Sequence, residues 1–279
     1  MKKYLFAMMI FFSITGVATE RDTVGQMVAL EIAAVKTGQA APKLTASGFD
    51  FSVDDAYRVQ TGLFFYLFPH RDPDGYKGGL TGEGDPQRFG LDEPLAGVLP
   101  PASSLTPVDG QYVLNMAAYH RAMMEMELGF LFSKSIYKGP VSIEELKNAV
   151  SAVVPVLELP DLGFVGEGKL HGKDIIAANA SAKYYIRGLL PLAKSVDINK
   201  IVLKLYRNDE LVVQGAGRDA MGDQWLALQW LVNQRLSTGW TIRQKQLLIT
   251  GAIGKMIALK PGQYRAEFGE QASIHLQVR

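Results

Sequence analysis

The chain contains no cysteine, which excludes disulfides, thiolate nucleophiles, zinc-thiolate sites and iron–sulfur clusters together. Any metal must be held by oxygen or imidazole. An excess of one charge is also missing, since 29 Lys+Arg stand against 28 Asp+Glu. A nucleic-acid binder needs a basic surplus to displace counterions, so that class is set aside. Histidine is scarce: His70, His120, His171 and His275 are the whole set, and none pairs with another at the spacing of a helical metal motif. No Gly-x-Ser-x-Gly elbow, P-loop or dinucleotide fingerprint is present. No apolar run is long enough to span a bilayer, which takes roughly 20 residues.

What is present is a chain of 279 residues that is 48% apolar, with 28 Gly and 13 Pro. That describes a loop-rich globular protein able to bury a substantial core. Lys2 and Lys3 precede an apolar run from Tyr4 to Phe12, and small residues follow at Gly16, Val17 and Ala18. This layout predicts a signal peptide over residues 1–18, cleaved near Ala18. The expected product is then exported, periplasmic or secreted, with no stable membrane insertion. Without Lys2 and Lys3 it carries 27 basic against 28 acidic residues.

Residues 19–279 read as one domain with a helical N-terminal part over about 19–70. Helical spacing of Met27, Leu30 and Ala34 predicts a helix over 26–36. Ser52 with Asp55, and Ser142 with Glu145, resemble capping boxes that open two more helices. The second of these would set Ile143, Leu146, Val150 and Val153 on one face. Residues 225–236 are apolar nearly all round and predict a buried helix ending at Gly239. Elsewhere the period is two: 200–206 and 210–213 flank a hairpin turn at Arg207, Asn208 and Asp209, and 246–250, 264–268 and 273–278 add short strands. The fold class is α+β with a largely antiparallel core.

Carboxylates carry the chemistry. Along residues 123–130, Met124, Met126, Leu128 and Phe130 alternate with Glu125, Glu127 and Gly129. The two glutamates then share one face of a strand, about 7 Å apart. On a solvent face this is ordinary. On a buried face, repulsion and desolvation demand a cation, and Gly129 would leave room beside it. Glu158 is the single charge in the apolar stretch 153–159, where a lone buried carboxylate is costly unless paired or metal-bound. Three carboxylates without cysteine make a hard oxygen site suited to Mg²⁺ or Mn²⁺. Lys77 lies among the glycines of segment 75–82, either in a solvated surface loop or where backbone and ammonium together receive a small anion. His120 and His171 are weaker candidates for proton transfer.

Taken in order, the elements are Ala56, Tyr57 and Gln60; Gly75, Lys77, Gly79, Leu80 and Thr81; Glu125 and Glu127; Leu157, Glu158 and Asp161; Ala178, Asn179 and Ser181; Gly215 and Gly217; Trp230, Leu231 and Asn233; Thr250 and Gly251. This succession resembles the 2-keto-4-pentenoate hydratase branch of the fumarylacetoacetate hydrolase superfamily, over roughly residues 25–279. The resemblance implies a mixed, largely antiparallel β-roll with packed helices. It implies one divalent metal on Glu125, Glu127 and Glu158, and Lys77 beside the substrate. It also implies substrate contacts from Gln60, Asn179, Ser181 and Thr250.

The implied activity is addition of water to a 2-hydroxydienoic or 2-oxo-enoic acid through a stabilised enolate, in a homo-oligomer of two or more copies. Acylpyruvate-type hydrolysis, 2-oxo acid decarboxylation and non-catalytic binding of a small acid are the alternatives. Two departures stand out. Ala178 replaces an Asp common in the branch, and residues 243–246 replace a usual Gly-Asp. Export is itself unusual, because ring-cleavage pathways that use such hydratases operate inside the cell.

Overall fold

The computed structural model describes residues 16–279, with side chains from residue 22. Its first helix, α1 (Gly16–Thr37), contains the expected 26–36 segment. Met27 and Ala34 face inward as expected, but Leu30 is 40% exposed and Glu31 takes the interior position instead. A two-residue strand β1 (Ala41–Pro42) leads to α2 (Val53–Leu67). There the box forms as read: Ser52 Oγ accepts the Asp55 N–H at 3.1 Å and Asp55 Oδ2 accepts the Ser52 N–H at 3.0 Å.

Strand β2 (Gly75–Gly79) follows, then a single turn α3 (Asp85–Arg88), β3 (Leu95–Leu99) and β4 (Tyr112–Leu114). The glycine-rich segment is therefore no surface loop for most of its length; it is a strand with Lys77 only 3% exposed. Strand β5 (Met123–Phe132) is long and alternating, as expected. The box at Ser142 and Glu145 opens α4 (Ile143–Ala149), yet this helix is short. Val150 and Val153, expected on its face, already belong to β6 (Val150–Leu159). Branched side chains favour extended backbone, and pairing with β5 satisfies that stretch better than a third helical turn would.

Next come β7 (Phe164–Val165), α5 (Gly172–Ala177) and β8 (Tyr184–Arg187). The hairpin of β9 (Val202–Arg207) and β10 (Glu210–Ala216) turns at Asn208 and Asp209, both with positive φ, as a two-residue turn between right-twisted strands requires. Helix α6 (Gln224–Ser237) starts on Asp223, whose Oδ1 accepts the N–H groups of Trp225 and Leu226. It is not buried all round: Leu226 is 47% exposed, while Arg235 is fully enclosed. The chain ends with β11 (Leu247–Ile249), β12 (Ile257–Ala258), β13 (Gly262–Phe268) and β14 (Ala272–Val278).

The larger sheet runs β3-β2-β11-β5-β6-β8, with β12 paired to β5; the smaller runs β10-β9-β13-β14-β4; β1 and β7 pair separately. Among the strands named here, β2–β11, β4–β14 and β1–β7 pair in parallel and the rest antiparallel, so the α+β, largely antiparallel expectation stands. The main core takes in Met124, Met126, Leu128 and Phe130 of β5. A second, smaller cluster of Leu99, Val154, Val156, Tyr185, Leu247 and Ile249 forms apart from it. Among the described residues no helix is long and apolar enough to cross a membrane.

Candidate metal and substrate site

Register places the charged groups. Glu125 pairs directly with Glu158 across β5 and β6, and Glu127 with Val156. The alternation that sends the methionines into the main core turns both glutamates of β5 to the other face, toward Glu158. Ligand atoms of Glu125, Glu127 and Glu158 all lie within 4.8 Å of one another. Glu127 and Glu158 are fully buried and Glu125 is partly open, which decides between the solvent and buried faces left open above. Gly129 does not leave the room expected of it. A Cβ there would meet Leu247 Cδ1 at 2.7 Å and Val156 Cγ2 at 2.8 Å, so the glycine lets apolar side chains close beneath the carboxylates.

Lys77 reaches the cluster from β2. Its partner across β11 is Ile249, which in turn faces Gly129 of β5, so the lysine shares the face of the glutamates. Nζ donates to Glu158 Oε1 and to the Ala180 carbonyl, the latter at 3.2 Å. Opposite Lys77 on β3 stands Gly97, where a Cβ would meet Ala180 Cβ at 2.6 Å and Lys77 Cγ at 3.0 Å. Its bare backbone lets the turn 179–181 press against the sheet. All three residues of that turn have positive φ, and Asn179 fastens it by taking the Val98 N–H and donating to the Val98 carbonyl, each at 2.8 Å.

The electrostatics are unbalanced in favour of negative charge. Burial, then the charge of Glu158, pushes Glu125 up to about 8 despite Lys77 nearby. Burial and the charges of Glu158 and Glu125 raise Glu127 well above the carboxylate range. For Lys77, burial works against the charge, but Glu158, Glu125 and Glu127 outweigh it and raise the ammonium's pKa. One ammonium thus serves three carboxylates. Glu127 Oε1 and Glu158 Oε2 are buried with no hydrogen-bond partner. Such a pocket takes up protons or holds a cation, and its all-oxygen donors suit a hard divalent ion.

The backbone contributes one group that sequence patterns do not reveal. Gly251 donates its N–H to Glu127 Oε2 at 2.6 Å. It does so with φ +101°, at a point where a Cβ would fall 2.0 Å from Thr81 Oγ1, so only glycine fits. Thr250 beside it is tied by its hydroxyl to Gln224 Oε1 at 2.6 Å, which anchors the end of β11 to the start of α6.

Other expected substrate contacts are committed elsewhere. The Gln60 amide gives both its hydrogens to the carbonyls of Ala96 and Ile176 and accepts from Arg235 Nη1 at 2.8 Å. It braces α2 against β3 and α5. Asn179 and Thr250 are likewise spent on Val98 and Gln224. Ser181 differs, with a buried Oγ that has no partner. His171 caps α5, its Nδ1 accepting the Lys173 N–H at 3.1 Å, so its ring has a structural task. His120 is exposed, and its backbone N–H donates to Asp161 at 3.1 Å. Neither histidine belongs to the carboxylate cluster.

Comparison with known proteins bears out the resemblance. The chain is 29% identical over 231 residues to the 2-keto-4-pentenoate hydratase of Paraburkholderia xenovorans (strain LB400), covering 82% of this chain and 84% of the relative. It is 26% identical over 189 residues to a 4-oxalocrotonate decarboxylase of Pseudomonas putida, covering 67% and 70%. Among solved structures it matches 4-oxalocrotonate decarboxylase from Pseudomonas putida G7, complexed with magnesium and adipate, with TM-score 0.84 and 21% identity over 93% of this chain and 98% of that one. A 2-hydroxyhepta-2,4-diene-1,7-dioate isomerase from Mycobacterium marinum matches with TM-score 0.52 and 12% identity over 73% of each. No family model matches.

These relatives correct the expectation of export. Those that match over 82% of this chain bear the name 2-keto-4-pentenoate hydratase, and the exported location does not stand. The predicted leader lies outside the described residues except for residues 16–18, which form the first turn of α1.

Proposed function

We propose that the chain is a divalent-metal-dependent hydratase that adds water to a 2-hydroxydienoic or 2-oxo-enoic acid. The observation that carries this reading is the meeting of Glu125, Glu127 and Glu158 on one buried face with the Lys77 ammonium on Glu158. The two orphaned oxygens, Glu127 Oε1 and Glu158 Oε2, fit a hard dication, with Mg²⁺ first and Mn²⁺ second. Bound there, the ion supplies Lewis-acid stabilisation of negative charge on the substrate's carboxylate and 2-oxygen.

The chain's own groups do the rest. Lys77, fixed by Glu158 and the Ala180 carbonyl, adds a second positive charge where the enolate oxygen gains density. The Gly251 N–H aims Glu127, and the Asn179 clasp holds the turn whose Ala180 carbonyl receives Lys77. Protonation at carbon converts the dienol to a conjugated enone, and water then adds to give a 4-hydroxy-2-oxo acid. The closed apolar cluster under the carboxylates keeps bulk water from that side and strengthens each charge. Turnover of 2-hydroxypenta-2,4-dienoate, followed by loss of diene absorbance with Mg²⁺ and with chelator, tests the proposal. No turnover in the presence of Mg²⁺ would sink it.

Decarboxylation is the second reading. It is favoured by the likeness to the decarboxylase named above, whose chemistry shares the enolate. Release of CO₂ from a 2-oxo-enedioic acid, with no hydration of the five-carbon dienol, would select it.

A further inference from the structure

Hydration needs a group that passes protons between water and the substrate's carbons, and the carboxylate cluster holds none that solvent reaches freely. Glu127 and Glu158 are fully enclosed, and Lys77 is 3% exposed. Of the three glutamates Glu125 is the partly open one, so the cluster meets solvent on its side. Both histidines lie outside the cluster.

The segment from Leu80 to Leu91, which continues the chain beyond β2 and Lys77, is tied down at both ends. The Thr81 carbonyl accepts the Met221 N–H at 2.9 Å, and the Thr81 hydroxyl packs on Gly251, whose own N–H holds Glu127. At the far end the Phe89 carbonyl accepts the Gly172 N–H at 2.7 Å, and Gly90 lies against the His171 ring. Asp85 stands between these anchors.

Its Oδ1 takes Arg88 Nη1 at 3.1 Å, while its Oδ2 folds back over Gly82, where a Cβ would come within 2.5 Å of it. Any side chain at position 82 would push the carboxylate off this path toward Thr81 and Gly251. Among the described residues nothing donates to that Oδ2, and the Asp85 side chain is 35% exposed, so it exchanges protons with water. Its charge also reaches the open edge of the cluster. After burial and the charge of Glu158, Asp85 is the further carboxylate that raises Glu125, and it is the one that lies outside the cluster.

We infer that Asp85 is the proton-transfer residue of the hydration, taking a proton from water as the water oxygen bonds to C4 of the enone and returning it to C3. As the O–C4 bond forms, the C3–C4 π pair moves toward the 2-oxygen to give the enolate, which the returned proton then quenches at C3. One water thus supplies both the hydroxyl at C4 and the hydrogen at C3, and no other reactant is needed. The inference rests on the proposed function, since it takes the substrate's 2-oxo acid end to sit at the carboxylate cluster.

Steady-state hydration of 2-hydroxypenta-2,4-dienoate with Mg²⁺ tests it. Asp85→Asn keeps an acceptor for Arg88 and should lower kcat about 100-fold or more, with KM within about threefold of the parent's. The rise in Tm on adding Mg²⁺ should stay at its parental size, because Asp85 does not hold the ion. Asp85→Ala leaves room for a small acid, and formate should restore its kcat by about tenfold or more without activating the parent. A purely structural role would not respond to formate. An Asp85→Asn kcat within about fivefold of the parent's, an Asp85→Ala variant that formate does not restore, or loss of the Mg²⁺ shift in Tm overturns the inference and leaves the hydratase reading intact. If the parent itself does not turn over with Mg²⁺, both fail together.

Discussion

Replacing Glu127 with Gln should leave the metal-free protein nearly as stable as the parent and remove most of the stability that Mg²⁺ confers. The carboxyl is fully buried, and burial with the charges of Glu158 and Glu125 raises its pKa, which favours the neutral acid when no metal is bound. An amide is close in shape to that neutral acid, so the apo cost stays within about 1 kcal/mol, as for a volume-conserving change. The Gly251 N–H demands an acceptor and will hold the amide oxygen. The NH₂ group is then forced onto the side of Oε1, the orphaned atom, where it would repel a bound cation. For the parent, Mg²⁺ at 100 times its Kd adds about 2.7 kcal/mol, or roughly 5 to 10 °C in a protein of this size. Loss of one charged ligand weakens binding by at least the factor of about 10 to 100 that even a ligand's hydrogen-bonding partner carries. The gain then falls to about 0.4 to 1.4 kcal/mol at the same Mg²⁺. Thermal melts in EDTA and in Mg²⁺ read this directly. An equal Mg²⁺ shift in the variant would refute the role of Glu127 as a ligand, and an apo variant weakened by several kcal/mol would refute its protonated state.

Lys77→Met removes the ammonium from a buried pair and should cost the apo protein about 3 kcal/mol or more by urea unfolding in EDTA, with turnover lost; parental turnover would displace Lys77 from the substrate. Glu31, 2% exposed and pushed up to about 8 by burial and then by Asp174, should tie stability to pH. Its folded form holds a proton that the unfolded chain releases near 4.5, so stability is full below that point and falls as pH rises toward 8, by at most about 1.4 kcal/mol per unit. Unfolding free energies from urea titrations at pH 5 and pH 7 should differ by on the order of 3 kcal/mol from this group, and Glu31→Gln should flatten the slope. Gly97→Ala drives a methyl into Ala180 and Lys77 and should lower kcat far more than Tm, whereas an unchanged kcat would show that the 179–181 turn can shift freely.

Much of this was legible in the primary structure because it depends on neighbours in the chain. The alternation over 123–130 determined that Glu125 and Glu127 share a face, the capping residues determined where α2 and α4 begin, and the missing cysteines excluded a thiolate site. Those properties follow from backbone periodicity and local hydrogen bonds, which a linear pattern carries. Other properties needed the folded chain. Whether the glutamates' face was wet or dry depended on Leu247, Val156 and the β5–β6 pairing. Lys77 changed from a loop residue to a buried ion pair because β11 wedges β2 beside β5. Gln60 and Thr250 proved to be braces because Arg235 and Gln224, 175 and 26 residues away, reach them. α4 ended early because β5 offered its valines a partner strand. Burial and pairing are sums over residues far apart in sequence, so the chain alone determined which groups could do the chemistry, and only the tertiary structure decided which of them are free to do it.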